Sequence, residues 1–187
     1  MEPLDECPAA ELAAAVDALK NDTDRGLERV EELLDTYGRD ARLHFLRGSV
    51  LAGMGRFGEA HQAMRSAVDI APDYAVARFQ LGFLEFTSGD AAAATATWQR
   101  LQQLRPDDAL RLFAQGLQSL ARDEFAQAVA TLELGITRNT ENPAMSRDMQ
   151  LIIDTAREKL GEVSPADEPT SSAHLLLQQS AAKATKH

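Results

Sequence analysis

The sequence predicts an all-α fold, a solenoid of helix-turn-helix repeats closed at both ends by capping helices, and three observations carry that prediction. The stretch ARLHFLRGSVLAGMGRFGEAHQAMRSAVDIAPDY, residues 41–74, recurs twice more at a constant spacing of 34, which places Gly48 on Gly82 and Gly116, Phe45 on Phe79 and Phe113, Ala60 on Ala94 and Ala128, and Pro72 on Pro106. Within each copy the apolar residues return at intervals of three and four, the spacing that lays one stripe along a helix. Between the periodic runs stand Gly55, Gly89, Pro72 and Pro106, residue types that end helices.

Each copy divides into two helices. In residues 41–54, Leu43, Leu46, Val50 and Leu51 form the stripe of a first helix, and Gly55 follows where a left-handed residue closes it. In residues 57–70, Ala60, Met64, Ala67 and Val68 share one face of a second helix, and the small alanines permit close approach to the first. Pro72 lacks a backbone N–H and restricts Ala71, so the chain must turn there.

The flanks read as caps. Residues 9–20 and 24–37 form a further hairpin joined by Asn21, Asp22 and Thr23, with Ala14 at the small-residue position, Gly26 in place of the expected alanine and Gly38 in place of the proline. At the other end Asn142 and Pro143 signal a helix start. Met145, Met149, Ile152, Ile153, Ala156 and Leu160 fall on one face of a helix over residues 143–160, which Gly161 is expected to end. The polar segment GEVSPADEPTSS reads as a disordered linker to a short apolar tail around Leu175, Leu176 and Leu177. That tail is long enough to return to the protein's own surface, or else it stays disordered.

Composition bounds the function. A length of 187 residues with formal net charge −10 suits one compact acidic unit, and the absence of any Lys or Arg run argues against nucleic acid as a partner. Cys7 is alone, so no intramolecular disulfide forms, and the start MEPLDECPAAE lacks the basic and apolar regions of a secretory signal. No run approaches the length of a membrane span, and the expected location is cytoplasmic. The four histidines, His44, His61, His174 and His187, are scattered, and His44 and His61 have no metal-ligand spacing to an acid or cysteine. No phosphate loop or nucleophile motif occurs, so no cofactor, metal or catalytic residue is expected and an enzyme is not.

The 34-residue period, with a small residue in the first helix (Gly48, Gly82, Gly116), a turn glycine, alanine early in the second helix (Ala60, Ala94, Ala128) and a terminal proline (Pro72, Pro106), resembles the tetratricopeptide repeat. Three copies cover residues 41–74, 75–108 and 109–142, after a degenerate unit over 1–40 and before the capping helix over 143–160 and a tail over 161–187. The third copy departs from the pattern with Asp123 at the turn and Thr140 at the proline position. Further departures are His44 and Arg78 where the family carries a bulky residue, and Leu51, Glu85 and Ser119 where it carries tyrosine.

The resemblance implies a right-handed solenoid whose first helices line a concave groove for a protein or peptide partner. Mapped onto this chain, the groove comprises Phe45 and Ser49, then Phe79, Phe83 and Phe86, then Phe113, Leu117 and Leu120. The competing expectation is core packing, since a phenylalanine beside His44 or Arg78 can rotate inward to replace the missing bulky residue. The resulting function is a non-catalytic scaffold that binds an apolar helix or extended peptide. The alternatives are a secretion-type chaperone sheltering a hydrophobic segment and a regulatory subunit of an enzyme. Such an apolar groove also admits self-association or the chain's own leucine tail as occupant.

Overall fold

The protein, seen in a computed structural model, is described over residues 6–162. All the regular structure there is helical: α1 (Ala9–Asn21), α2 (Thr23–Thr36), α3 (Ala41–Gly53), α4 (Phe57–Ile70), α5 (Ala75–Thr87), α6 (Ala91–Trp98) with a 3-10 continuation (Gln99–Gln103), α7 (Ala109–Ala121), α8 (Phe125–Arg138) and α9 (Pro143–Glu162). The tail with Leu175 to Leu177, and the expectations attached to it, lie outside the described residues.

The first helices start at Ala41, Ala75 and Ala109, and α9 starts one period later at Pro143, so the C-terminal cap is itself a first helix. Three of these four starts share a device. Asp40 accepts from the N–H of Arg42, Asp108 from those of Leu110 and Arg111, and Asn142 from that of Met145, each satisfying donors that a helix start leaves open. At the small-residue position α9 carries Gln150, which hydrogen-bonds Asp154 beside exposed Arg147 and Arg157. That polar face is no seat for a second helix. The opposite face buries Met145, Met149, Ile152, Ile153 and Ala156, whereas Leu160 remains 42% exposed. Gly161 lies inside α9 and does not end it.

The chain divides into two compact units with the boundary inside α5, one up to Leu84 and one from Glu85 onward, in place of the single unit that length suggested. In the first, α1 and α2 pack Ala15, Val30, Leu33 and Tyr37 against Leu43 of α3. A second cluster joins Leu27 and Leu51 to Ala60, Met64, Ala67 and Val68 of α4 and Ala77, Leu81 and Leu84 of α5. The Gly48 column explains the fit of α3 on α4, because a Cβ there would stand 2.7 Å from Met64 Cγ and 3.2 Å from the Ala60 carbonyl oxygen. Ala14 is exposed and Ala15 buried instead, since α1 joins α2 through Asp22 alone and this shorter link changes the register of α1. Gly26, where alanine was expected, admits Leu19 to within 2.5 Å of where its Cβ would be.

A strap precedes α1. The carboxylate of Asp40 accepts from the backbone N–H of Cys7 at 2.8 Å, and Arg42 donates both to that carboxylate (2.6 Å) and to the Cys7 carbonyl (2.8 Å). Burial works to raise the pKa of Asp40, but the Arg42 guanidinium and the N–H groups of Cys7 and Arg42 outweigh it and hold the carboxyl below its ordinary range. Burial pushes the Cys7 thiol up, with Glu11 and Asp40 adding to the effect.

In the second unit α7 and α8 repeat the α3–α4 crossing, and a Cβ at Gly116 would stand 2.6 Å from Leu132 Cγ. The second helix of the middle repeat departs from the pattern: α6 is short and tightens into the 3-10 turn, whose terminal carbonyls at Gln102 and Leu104 accept from Arg111 of α7. Where the third repeat lacks its proline, Asn139 bonds the backbone of Asn142 in both directions and turns the chain without it.

Candidate functional site

The turns between the two helices of the three repeats share one backbone conformation. Gly55 (φ 75°) and Gly89 (φ 91°) take the left-handed conformation, and Asp123 (φ 57°) takes it at the corresponding place in the third repeat. At the positions where a bulky residue was expected, His44 shares a hydrogen bond with the Gly38 carbonyl at 3.0 Å and Arg78 donates to the Pro72 carbonyl at 2.8 Å. These polar chains reach back to the preceding loop rather than into the core.

Burial of the next residue does not follow that pattern: Phe79 beside Arg78 is core and Phe45 beside His44 is half-buried, while Phe113 is core although the neighbouring Leu112 is buried too, and the groove assignment changes accordingly. Phe79 and Phe113 are fully buried, as are Leu117 and Leu120, and Phe86 is 2% exposed against Trp98, with ring centroids 5.8 Å apart. These five therefore do not line an open surface. Gly135 makes room for the Phe113 ring, since a Cβ there would meet it at 2.6 Å. Ser49 is half-buried but spends its hydroxyl on the Phe45 carbonyl at 2.9 Å. Among the structural positions Gly82, Ala94 and Ala128 are buried, while Pro72 and Pro106 are exposed in their loops.

What stays accessible belongs to the first unit. Phe45 and Phe83 are half-buried. Phe83 stacks on Phe79 with centroids 6.0 Å apart and planes at 10°. Phe45 meets Tyr74 edge to face at 5.4 Å, and burial raises the Tyr74 phenol pKa. The sequence reading missed Tyr74, although an aromatic residue directly before a first helix, at the place of Asp40 and Asp108, was the available signal. Covering two half-exposed rings releases about 2–3 kcal/mol, well short of the ~8 kcal/mol of micromolar binding, so these rings are anchors within a larger contact.

At the Leu51, Glu85 and Ser119 positions all three side chains are buried, and Glu85 accepts from Thr97 Oγ1 at 2.6 Å. Among the described residues no His, Cys, Asp and Glu group has the arrangement of a metal site, and no helix is long and apolar enough to cross a membrane.

Comparison with known proteins agrees with this architecture. Residues 51–115 match the family model described as tetratricopeptide repeat. The solved structure of MamA, residues 41 to the end, from Desulfovibrio magneticus RS-1 superposes with a TM-score of 0.60 at 12% identity, covering 95% of this chain and 92% of that one. A human relative, Protein O-mannosyl-transferase TMTC1, is 27% identical over 117 residues, which are 60% of this chain and 13% of that protein's length. Residues 51–115 thus match the tetratricopeptide repeat, a type of repeat that in general serves as a protein–protein interaction scaffold, and the chain shares the fold of MamA.

Proposed function

We propose that the protein is a non-catalytic adaptor that binds an apolar helix or extended peptide of another protein through the aromatic surface of its first unit. The observation that carries this reading is the division within α5, where Phe79 and Phe86 are core but Phe83, stacked on Phe79, is only half-buried. A ring held flat by a buried neighbour loses little entropy when a partner side chain covers it, which favours its use as an anchor. Phe45 and Tyr74 supply a second aromatic pair on the same unit.

Panning a displayed library of random 16-residue peptides on the protein tests this. Enriched peptides are expected to carry two or more large apolar residues and to lose at least tenfold in affinity for Phe83→Glu, with helical content retained. Equal selection by the variant would overturn the reading. A stability loss above about 2 kcal/mol in Phe83→Glu would assign Phe83 to the core instead.

A further inference from the structure

A cleft of about 450 Å³ opens in the first unit where the end of α1, the start of α2 and the end of α3 meet, lined by Leu19, Thr23, Asp24, Val50, Gly53 and Met54. Its walls are apolar and partly exposed: Leu19 and Val50 are half-buried and Met54 is 39% exposed. Gly53 keeps it open, because a Cβ there would meet nothing within 4 Å. At the rim stands the exposed carboxylate of Asp24, which has no hydrogen bond or ion pair among the described residues.

The hydrogen bonds of the local cations go elsewhere. Lys20 holds Asp17 at 3.0 Å and Arg47 holds Glu31 at 3.3 Å, while Arg56 spends its hydrogen bonds on Glu59, two of 2.7 Å, and feels the Asp24 carboxylate only through space. Arg25 is the next residue after Asp24, and adjacent helix positions do not face each other. The start of α2 contributes about half a positive charge, against the two carboxylates of Asp22 and Asp24, so the rim is negative. An apolar wall ending in a carboxylate with no direct hydrogen bond is the complement of a long side chain with a methylene stem and a cationic head.

We propose that this cleft seats a lysine or arginine of a basic partner segment, with the stem against Leu19, Val50 and Met54 and the head at Asp24 and the Thr23 hydroxyl. The site shares no lining residue with the Phe45 and Phe83 surface and does not rest on the function proposed for it. A chain of net charge −10 draws basic segments to itself by its overall field, and the cleft converts that attraction into a located contact.

The test uses the full chain and two probes, an acetylated alanine-based helical peptide with two arginines four residues apart and the same peptide with citrulline in their place. Titration followed by backbone amide shifts at low salt is expected to move resonances of Thr23, Asp24 and Gly53 with the arginine peptide alone. Asp24→Asn and Gly53→Phe, the latter filling the cleft, should each weaken binding tenfold or more, whereas Asp69→Asn, an exposed carboxylate on α4, should change it less than twofold and Phe83→Glu not at all. No binding of the arginine peptide up to millimolar concentration would overturn the proposal. So would equal loss in Asp24→Asn and Asp69→Asn, which would mean diffuse attraction, or unchanged affinity in Asp24→Asn.

Discussion

The pair α3–α4 and the pair α7–α8 lie two periods apart and make the same crossing with different parts. In both, a glycine of the first helix touches a long apolar side chain of the second: Gly48 against Met64, and Gly116 against Leu132. Their turns differ, with Gly55 at φ 75° in one and Asp123 at φ 57° in the other. The crossing is a packing constraint with no room for an added carbon, so it recurs unchanged. The turn is a conformational preference worth about 1–2 kcal/mol, and a short polar side chain that bonds locally satisfies it nearly as well as glycine.

The largest expected effect sharpens the crossing. Gly116→Leu should cost about 3 kcal/mol or more by chemical denaturation, because branched Leu132 and the Ala128 carbonyl, 3.3 Å from the new Cβ, leave it no path. Gly48→Leu should cost about 1 kcal/mol less, since unbranched Met64 can repack. Equal costs would show that backbone, not the facing side chain, sets the limit. Gly82, in the middle repeat, is buried like the other two and is expected to resist leucine in the same way.

The turns give the next effect and its sign should invert between the repeats. Asp123→Gly should raise stability by about 0.5–1 kcal/mol, and Gly55→Ala should lower it by about 1 kcal/mol, both read from denaturation midpoints. Destabilisation in Asp123→Gly would mean that the Asp123 side chain contributes more than its backbone strain costs.

The smallest effect concerns the helix starts. Asp40 and Asp108 cap α3 and α7 alike, but only Asp40 also holds the strap at Cys7 and the Arg42 guanidinium. Its pKa is depressed in the fold, so its stabilisation is fully present above the ordinary carboxylate range and is lost as pH falls through that range toward the folded value. Hydrogen exchange at Cys7 and Arg42 should therefore accelerate on acidification, relative to the intrinsic rate, and in Asp40→Asn the acceleration should vanish. Parallel behaviour at Leu110 and Arg111 would remove the distinction between the two starts.

Much of the fold was legible because a repeated sequence reports the same constraint several times. The positions of Gly48, Gly82 and Gly116, the helix-ending prolines and the start at Pro143 needed no tertiary information. The first hairpin was misread at Ala14 because a link shortened to Asp22 alone changes the register of one helix, and a fixed period cannot express that. The candidate site was less legible. Phe79, Phe83 and Phe86 have the spacing of a single face, yet only Phe83 remains accessible.

By itself, then, the sequence determined the helix-turn-helix alternation, its period of 34 and the polar face that α9 presents beyond its packed side, all of them local or repetitive properties. Only the tertiary structure decided the rotation of each first helix about its axis, the boundary inside α5 and the cleft at Asp24. The physical reason is that spacing along a helix states which residues point together but not where they point. That direction is set by what neighbouring helices leave empty: Phe79 beside Arg78 and Phe113 beside Leu112 are core, whereas Phe45 beside His44 stays half-buried.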